Sequence, residues 1–516
     1  MRDIVIGIDA GTSVIKSVAF DTAGRQIASA ARPNRYTTRA GDGAAFQPMA
    51  QTWDDCAATL RALGDQVDGL AARCAALAVT AQGDGTWLVG AGNRPVGDGW
   101  LWLDARAADI VRQLRAGAGD AERFAITGTG LNACQMGAQL AHMAAHDPDL
   151  LDAAEVALHP KDWLYLNLTG LRATDPSEGL FTFGDFRSRR YDDRVIEALG
   201  LGSRRHLLPG MIDGSQTTHP LTPEAAALTG LLAGTPVSLG YVDVVCTAMG
   251  AGILAGGPGA CSIIGSTGMH MRAGRAADLR PGPARTGYVM VLPVPGMAAQ
   301  MQSNMAATLN IDWILGLAAD LAGELGAPVS RADLIGRIEG WLAASRPGAL
   351  IYHPYISEAG ERGPFVNSRA RAGFTGLSAG HGFADLLRAV VEGLGMAARD
   401  CYGAMGPMPA ELRLSGGAAR SPGLRAILGA ATGAATRISA REEAGAAGAA
   451  MMAAVATGVY PDMAACVEAW VSPHLGPAEA PDPELAATYA RLFPAYRAAR
   501  QALEPVWDRM AGHEDG

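Results

Sequence analysis

Residues 4–20 constrain the fold of this chain more than any other stretch. Ile4, Ile6 and Ile8 recur with period two, Asp9 ends the run, and Gly11-Thr12-Ser13 turns the chain. Residues 14–20 then read as a return strand, and Asp21-Thr22-Ala23-Gly24 leads into a third strand at 26–30. The chain therefore opens as a β-meander with a small-residue hairpin at its first turn. Another strand is predicted at 77–80, with helical spacing over 50–75 and 105–116. A comparable unit recurs in the second half: an apolar strand at 260–264, the turn Gly265-Ser266-Thr267-Gly268, and a return at 269–271. With 516 residues the chain is too long for one core. Two related domains are expected, each contributing one hairpin. Gly and Ala accumulate at 250–259 and place the boundary there, giving 1–252 and 253–516. Helices follow at 306–325, 331–344 and 381–404, with a Pro/Gly-bearing loop at 353–368. Residues 483–510 read as a closing helix that Pro494 should kink.

Composition narrows the function. The formal net charge is −9 and no basic block exists, so the chain has no electrostatic reason to seek nucleic acid or anionic lipid. A small molecule is the expected partner. Only Lys16 and Lys161 are lysine, and neither follows a glycine, which rules out a GxxxxGK[ST] phosphate loop. If the chain uses ATP, it must hold the phosphates another way. Its seven cysteines (Cys56, Cys74, Cys134, Cys246, Cys261, Cys401, Cys466) are far apart, as expected of reduced thiols in a cytoplasmic protein rather than of a disulfide framework or structural zinc. Residues 1–9 reach an aspartate too soon for a signal peptide, and the Ala-rich run 446–460 is too short to span a bilayer and reads as a core helix.

Three glycine turns carry the candidate chemistry. In Asp9-Ala10-Gly11-Thr12-Ser13 the turn exposes backbone N–H groups and two hydroxyls that can cradle a phosphate. Asp9 can hold Mg²⁺, usually through water; a hairpin capped by an Asx turn is the alternative. Gly265-Ser266-Thr267-Gly268 repeats the pattern. Leu414-Ser415-Gly416-Gly417-Ala418-Ala419-Arg420-Ser421 adds a third turn before a helix, where paired glycines let a flat ring approach the backbone.

Ten stretches in order (6–16, 82–86, 102–106, 160–162, 174–178, 240–250, 265–268, 361–364, 414–422 and 442–450) resemble the FGGY family of carbohydrate kinases, within the actin/hexokinase/Hsp70 ATPase superfamily. The resemblance implies an α/β fold of two ribonuclease-H-like domains with the active-site cleft between them, the acceptor mainly on the first and ATP mainly on the second. It implies ATP and Mg²⁺, with Asp243 as the general base and Asp9 as the magnesium-side carboxylate. Gly11, Thr12, Ser13, Lys16, Gly265, Ser266, Thr267 and Thr308 would lie toward the phosphates, and Gly416, Gly417 and Ser421 toward the adenosine. Gln82, Gly83, Asp84, Asp104 and Asp243 would face the acceptor.

The chain also departs from the family pattern. Val244 follows the base where the family commonly has Asn or Gln. Asp84 stands where xylulose-kinase-like members carry Met-His and glycerol-kinase-like members Arg. Phe365-Val366-Asn367 replaces the Asp-Pro that usually follows the Glu361-Arg362-Gly363-Pro364 loop. Trp87, Trp100 and Trp102 could wall the acceptor or belong to the core. Asp104 and Arg106 could equally form a structural pair. Within the family, VIGIDAGTSVIKSVAFD, VTAQGDGTWL and WLWLDARA are most similar to the branch acting on erythritol, with L-xylulose, D-xylulose or a related pentitol or ketose as alternatives. A homodimer is a further expectation. A non-catalytic actin- or Hsp70-like ATP-binding role is the remote alternative, and it would leave Gln82, Asp84 and Asp104 without purpose.

Overall fold

The structure, a computed structural model, describes residues 2–39 and 41–514, with side chains described through residue 510. Its first sheet opens with the expected meander: β1 (Ile4–Ala10), β2 (Val14–Asp21) and β3 (Gln26–Pro33), antiparallel in order. Helix α1 (Met49–Gly64) then crosses to β4 (Cys74–Ala81), which lies parallel to β1 with Asp9 opposite Thr80. The helical spacing over 50–75 is interrupted. The chain turns at Gly69, whose φ of 66° is cheap only for glycine, and Leu70–Arg73 adds one short turn before β4. Strands β5 (His219–Pro220) and β6 (Pro236–Leu239) complete the order β5-β6-β4-β1-β2-β3.

The second sheet repeats this plan. Strands β7 (Ala260–Ile264) and β8 (Gly268–Arg275) form the hairpin, β9 (Tyr288–Val291) and β10 (Met297–Asn304) extend it antiparallel, and β11 (Glu411–Ser415) and β12 (Ala435–Ile438) add parallel strands. The resulting order is β9-β10-β8-β7-β11-β12. Two sheets that each pair a central hairpin with parallel strands, covered by helices, give the two-domain α/β architecture expected of the actin-like ATPase fold.

The halves share one core through small residues. Helix α2 (Asp243–Ala251) and helix α3 (Ala444–Ala456) pack together, and α3 also lies on β1 and β4. A Cβ on Gly448 would sit 2.0 Å from the carbonyl oxygen of Cys246, and one on Gly7 would sit 2.0 Å from that of Ala446. These contacts explain the Ala/Gly composition of the run read as a core helix: larger side chains would push α3 off both surfaces. No helix among the described residues is long and apolar enough to cross a membrane. The closing helix (Pro483–Glu514) runs through Pro494 and Pro505.

Candidate active site

The first sheet ends in a concentration of carboxylates. Asp9 closes β1, Asp84 follows β4, Asp243 opens α2, and Glu178 lies in the first turn of the helix Pro176–Phe183. Asp243 and Glu178 are each influenced by others of the group. Burial, with Glu443 beside it, pushes Asp9 up to about 6, against the opposing pull of Lys16. Burial and then Asp9 raise Asp243 well above the ordinary carboxylate range. Burial raises Asp84 as well, and pushes Glu178 up to about 7. Gathering unpaired carboxylates out of water is costly, so this cluster is suited to cations and hydroxyl donors.

Asp9 lies where α3 begins. A Cβ on Gly445 would sit 2.2 Å from Asp9 Oδ2 and 3.2 Å from Thr247 Oγ1, so only glycine lets the start of α3 pack this closely against the carboxylate. Lys16 donates to both oxygens of Glu443, at 3.0 and 2.9 Å. The lysine expected on phosphate is therefore paired across the two halves, 427 residues apart in sequence. Glu443, Gly445 and Thr247 fall within the resembling stretches 442–450 and 240–250, but the sequence assigned them no role. Thr247 lies one helical turn after Asp243, a spacing that puts both on one face.

Thr12 sits in a different network from the one its phosphate reading requires. Its hydroxyl donates to Gln82 Oε1 at 2.7 Å and accepts from Trp102 Nε1 at 2.9 Å. Gln82 Nε2 in turn donates to Gln47 Oε1 at 2.5 Å. With its single hydrogen committed to Gln82, Thr12 organises the Gln82–Trp102 wall instead of offering a donor to phosphate. Gly11 and the exposed Ser13 remain at the hairpin tip, where Asn34 Nδ2 donates to the Gly11 carbonyl at 2.8 Å and its amide to the Ser13 carbonyl at 2.8 Å.

Asp84 adopts φ 59°, between Gly83 and Gly85. Its amide donates to Glu178 Oε1 at 3.2 Å, Cys134 Sγ donates to its Oδ2 at 3.3 Å, and its buried Oδ1 has no partner. The Gly85 amide bonds the Cys134 carbonyl, so the Asp84 side chain does not cap this turn. Gly83 packs against Val242 and Glu178, where a Cβ would fall 2.6 Å from one and 2.9 Å from the other.

Asp104 is not available to an acceptor. Both of its oxygens take Arg106, with the Ala45 and Arg106 amides added, and Arg106 stacks 3.2 Å over the Trp100 ring. Trp87 is fully buried core and Trp100 nearly so. Of the three tryptophans, only Trp102 joins the hydrogen-bonded wall.

A buried ionic network stands behind the site. Lys161 Nζ lies 2.6 Å from Asp162 Oδ1 and 2.5 Å from Asp175 Oδ2. Asp162 Oδ2 accepts the His159 amide at 3.0 Å, and His159 Nε2 lies 3.2 Å from Glu178 Oε2. Asp175 accepts from Ser177, whose hydroxyl accepts the Val242 amide at 3.0 Å, immediately before Asp243. Burial opposes charge on His159, yet Glu178 and Asp162 outweigh it and leave its affinity for a proton raised.

The second hairpin collects the remaining residues. The Thr308 amide donates to the Gly265 carbonyl at 3.0 Å and the Ala307 amide to that of Ser266 at 2.7 Å. A Cβ on Gly416 would fall 2.4 Å from the Ile264 carbonyl, while Gly417 faces open space. Ser266 is exposed and Thr267 half-buried. Ser421 caps the helix Pro422–Thr432 and donates to Glu339 Oε1 at 2.7 Å, so its hydroxyl is committed to structure. An open cleft of about 1050 Å³ separates Trp102, Asn132 and Cys134 of the first half from Met305, Glu361 and Arg362 of the second.

Comparison with known proteins matches this architecture along most of the chain. Residues 4–250 match the model of the FGGY family of carbohydrate kinases, N-terminal domain, and residues 260–457 that of its C-terminal domain. The chain is 66% identical over 511 residues to the erythritol kinase of Brucella abortus (strain 2308), covering 99% of this chain and 98% of that one. It is 30% identical over 428 residues to the xylulose kinase of Escherichia coli (strain K12), covering 82% and 84%. The crystal structure of xylulose kinase from Rhodospirillum rubrum superposes with a TM-score of 0.86 at 27% identity, covering 98% and 100%.

Proposed function

Because the chain belongs to the FGGY family of carbohydrate kinases, we propose that it transfers the γ-phosphoryl group of ATP to a hydroxyl of erythritol. The carrying observation is 66% identity to an erythritol kinase over 99% of this chain, joined to a buried Asp84 whose Oδ1 has no partner. A carboxylate accepts two hydroxyls at once, which suits an open-chain diol. A ketopentose acceptor is the second reading, favoured by the xylulose kinase relatives.

Asp243 serves as the base. Its burial and the neighbouring Asp9 bring its proton affinity closer to that of a hydroxyl, so it can take the acceptor's proton as the bond to phosphorus forms. Asp9 fits a magnesium ion: it is desolvated and set against a second carboxylate, Glu443, whose charge a cation would offset. When bound, the ion would neutralise charge on the transferring phosphates, with Asp9 holding it through water. Gly11 and Ser13 of the first hairpin tip and Gly265–Thr267 of the second, with Thr308, face the phosphates. Gly416 and Gly417 let the adenosine approach the backbone.

A cytoplasmic setting is supported by seven free, buried cysteines. Self-association is supported by an exposed apolar stripe at helical spacing: Leu309, Trp313, Leu317, Leu321 and Leu325. ADP release measured across tetritols, pentitols and ketopentoses tests the acceptor. Erythritol should give the highest kcat/KM, and a higher value for any ketopentose would overturn the choice.

Thr12→Val should weaken acceptor use by about 1–3 kcal/mol, because it strands Gln82 Oε1 and Trp102 Nε1. The loss is expected in kcat/KM for the acceptor, with KM for ATP nearly unchanged. A loss confined to ATP would return this hydroxyl to the phosphates.

A further inference from the structure

The pocket of the first half is rich in acceptors and poor in donors. When ionised, Asp84, Glu178 and Asp243 offer acceptors only, and Val244 is apolar. Gln82 Nε2 is bound to Gln47, Trp102 Nε1 to Thr12, and Lys16 to Glu443. A polyol hydroxyl that donates to a carboxylate still has lone pairs to satisfy, and on this side Trp102 Nε1 has no hydrogen left while Gln82 Nε2 and Lys16 are each partly spent.

The missing donor stands on the other side of the cleft. The hairpin of residues 361–367 is closed by reciprocal amide bonds between Glu361 and Asn367, both 2.9 Å. Glu361 Oε1 accepts the amides of Met305 at 3.0 Å and Arg362 at 2.8 Å, and Asn304 Nδ2 donates to the Gly363 carbonyl at 2.8 Å. This frame takes the place of the family's Asp-Pro continuation and fixes Arg362 at the end of β10. The Arg362 guanidinium spends one nitrogen on Ser303 Oγ at 3.2 Å, while its Nε is buried without a partner. Asp84 Oδ1 is likewise buried without a partner, and Asp84 and Arg362 are near enough to influence each other's charge.

We propose that the acceptor bridges the two halves, one hydroxyl donating to Asp84 Oδ1 and a neighbouring oxygen accepting from the Arg362 guanidinium. The inference rests on the polyol reading of the site. It makes Arg362 a specificity-determining residue, supplying across the cleft the polar contact that Val244 cannot make. It also makes acceptor binding favour approach of the two halves, since a ligand held from both sides binds the closed arrangement better.

The test is steady-state kinetics on Arg362→Met and Arg362→Lys, with acceptor and ATP varied separately and a melting curve for each. Arg362→Met should lower kcat/KM for erythritol by ~10² or more, because a site built to hydrogen-bond its ligand pays for an unpaired partner. Its KM for ATP and its melting curve should barely move, and Arg362→Lys should recover part of the loss. The double variant Asp84→Asn/Arg362→Met should lose less than the product of the single losses, because both residues act on one bound diol. Ser303→Ala separates the purely structural reading: if it reproduces the Arg362→Met defect, Arg362 only pins β10 and the proposal fails. Normal acceptor kinetics in Arg362→Met, or equal losses for both substrates, also overturn it. Failure of the polyol reading would look different, as a wild-type protein that releases no ADP in response to any polyol.

Discussion

Asp243→Asn is expected to bind ATP normally while kcat falls by ~10²–10⁴, the range for loss of a positioned general base. The substitution keeps the shape of the first residue of α2 and removes only the proton acceptor. Burial and Asp9 raise the proton affinity of this carboxylate, so the neutral amide should fit the site without strain. The amide also removes a negative charge beside Asp9, so the melting temperature of the unliganded protein should hold or rise. Nucleotide titration and single-turnover kinetics check the two halves of the expectation. Near-normal kcat would show that another group accepts the proton.

Lys161→Met should be the most destabilising single change near the site. The ammonium is fully buried and touches two buried carboxylates, Asp162 and Asp175. Its removal leaves both uncompensated, a loss of about 3–5 kcal/mol where one partner of a buried pair is deleted. The pair holds Asp162 down at about 2 despite the opposing cost of burial. The same deletion should reach the chemistry. One branch from Lys161 runs through Asp175 and Ser177 to the Val242 amide beside the base, and the other through Asp162, His159 and Glu178 to the Asp84 amide. Denaturant unfolding should show the lost stability. At a temperature where the variant stays folded, kcat should fall with little change in KM for ATP. An unaltered unfolding curve would mean the ammonium contributes nothing net.

What was legible in the sequence follows the range of the interactions. Period-two runs and glycine turns are local, so both hairpins, β4 and the helices 306–325, 331–344 and 381–404 were readable to within a few residues. Strands β9 and β10 have no such punctuation at their centres and were missed. Aromatic spacing did not separate wall from core: Trp87 and Trp100 became core, and only Trp102 reached the wall. The partners of site residues are mostly remote. Thr12 meets residues 70 and 90 positions away, and Lys16 meets one 427 away. The Thr12 hydroxyl, assigned to phosphate from its turn and from the family resemblance, donates to Gln82. Asp104 and Arg106 stood as either ligand or pair, and the packing on Trp100 decides for the pair. Residues 174–178 stood out only through the family resemblance, and the bond from Ser177 to Val242, 65 residues on, was not legible.

The most direct measurement couples ADP release to recovery of phosphorylated acceptor in one reaction, with erythritol present, absent, or replaced by D-xylulose. The account predicts one phosphorylated tetritol per ADP, negligible ADP without acceptor, and a lower kcat/KM with D-xylulose. ADP released at the same rate with and without erythritol, and no phosphorylated tetritol, would contradict it and leave an ATPase without an acceptor.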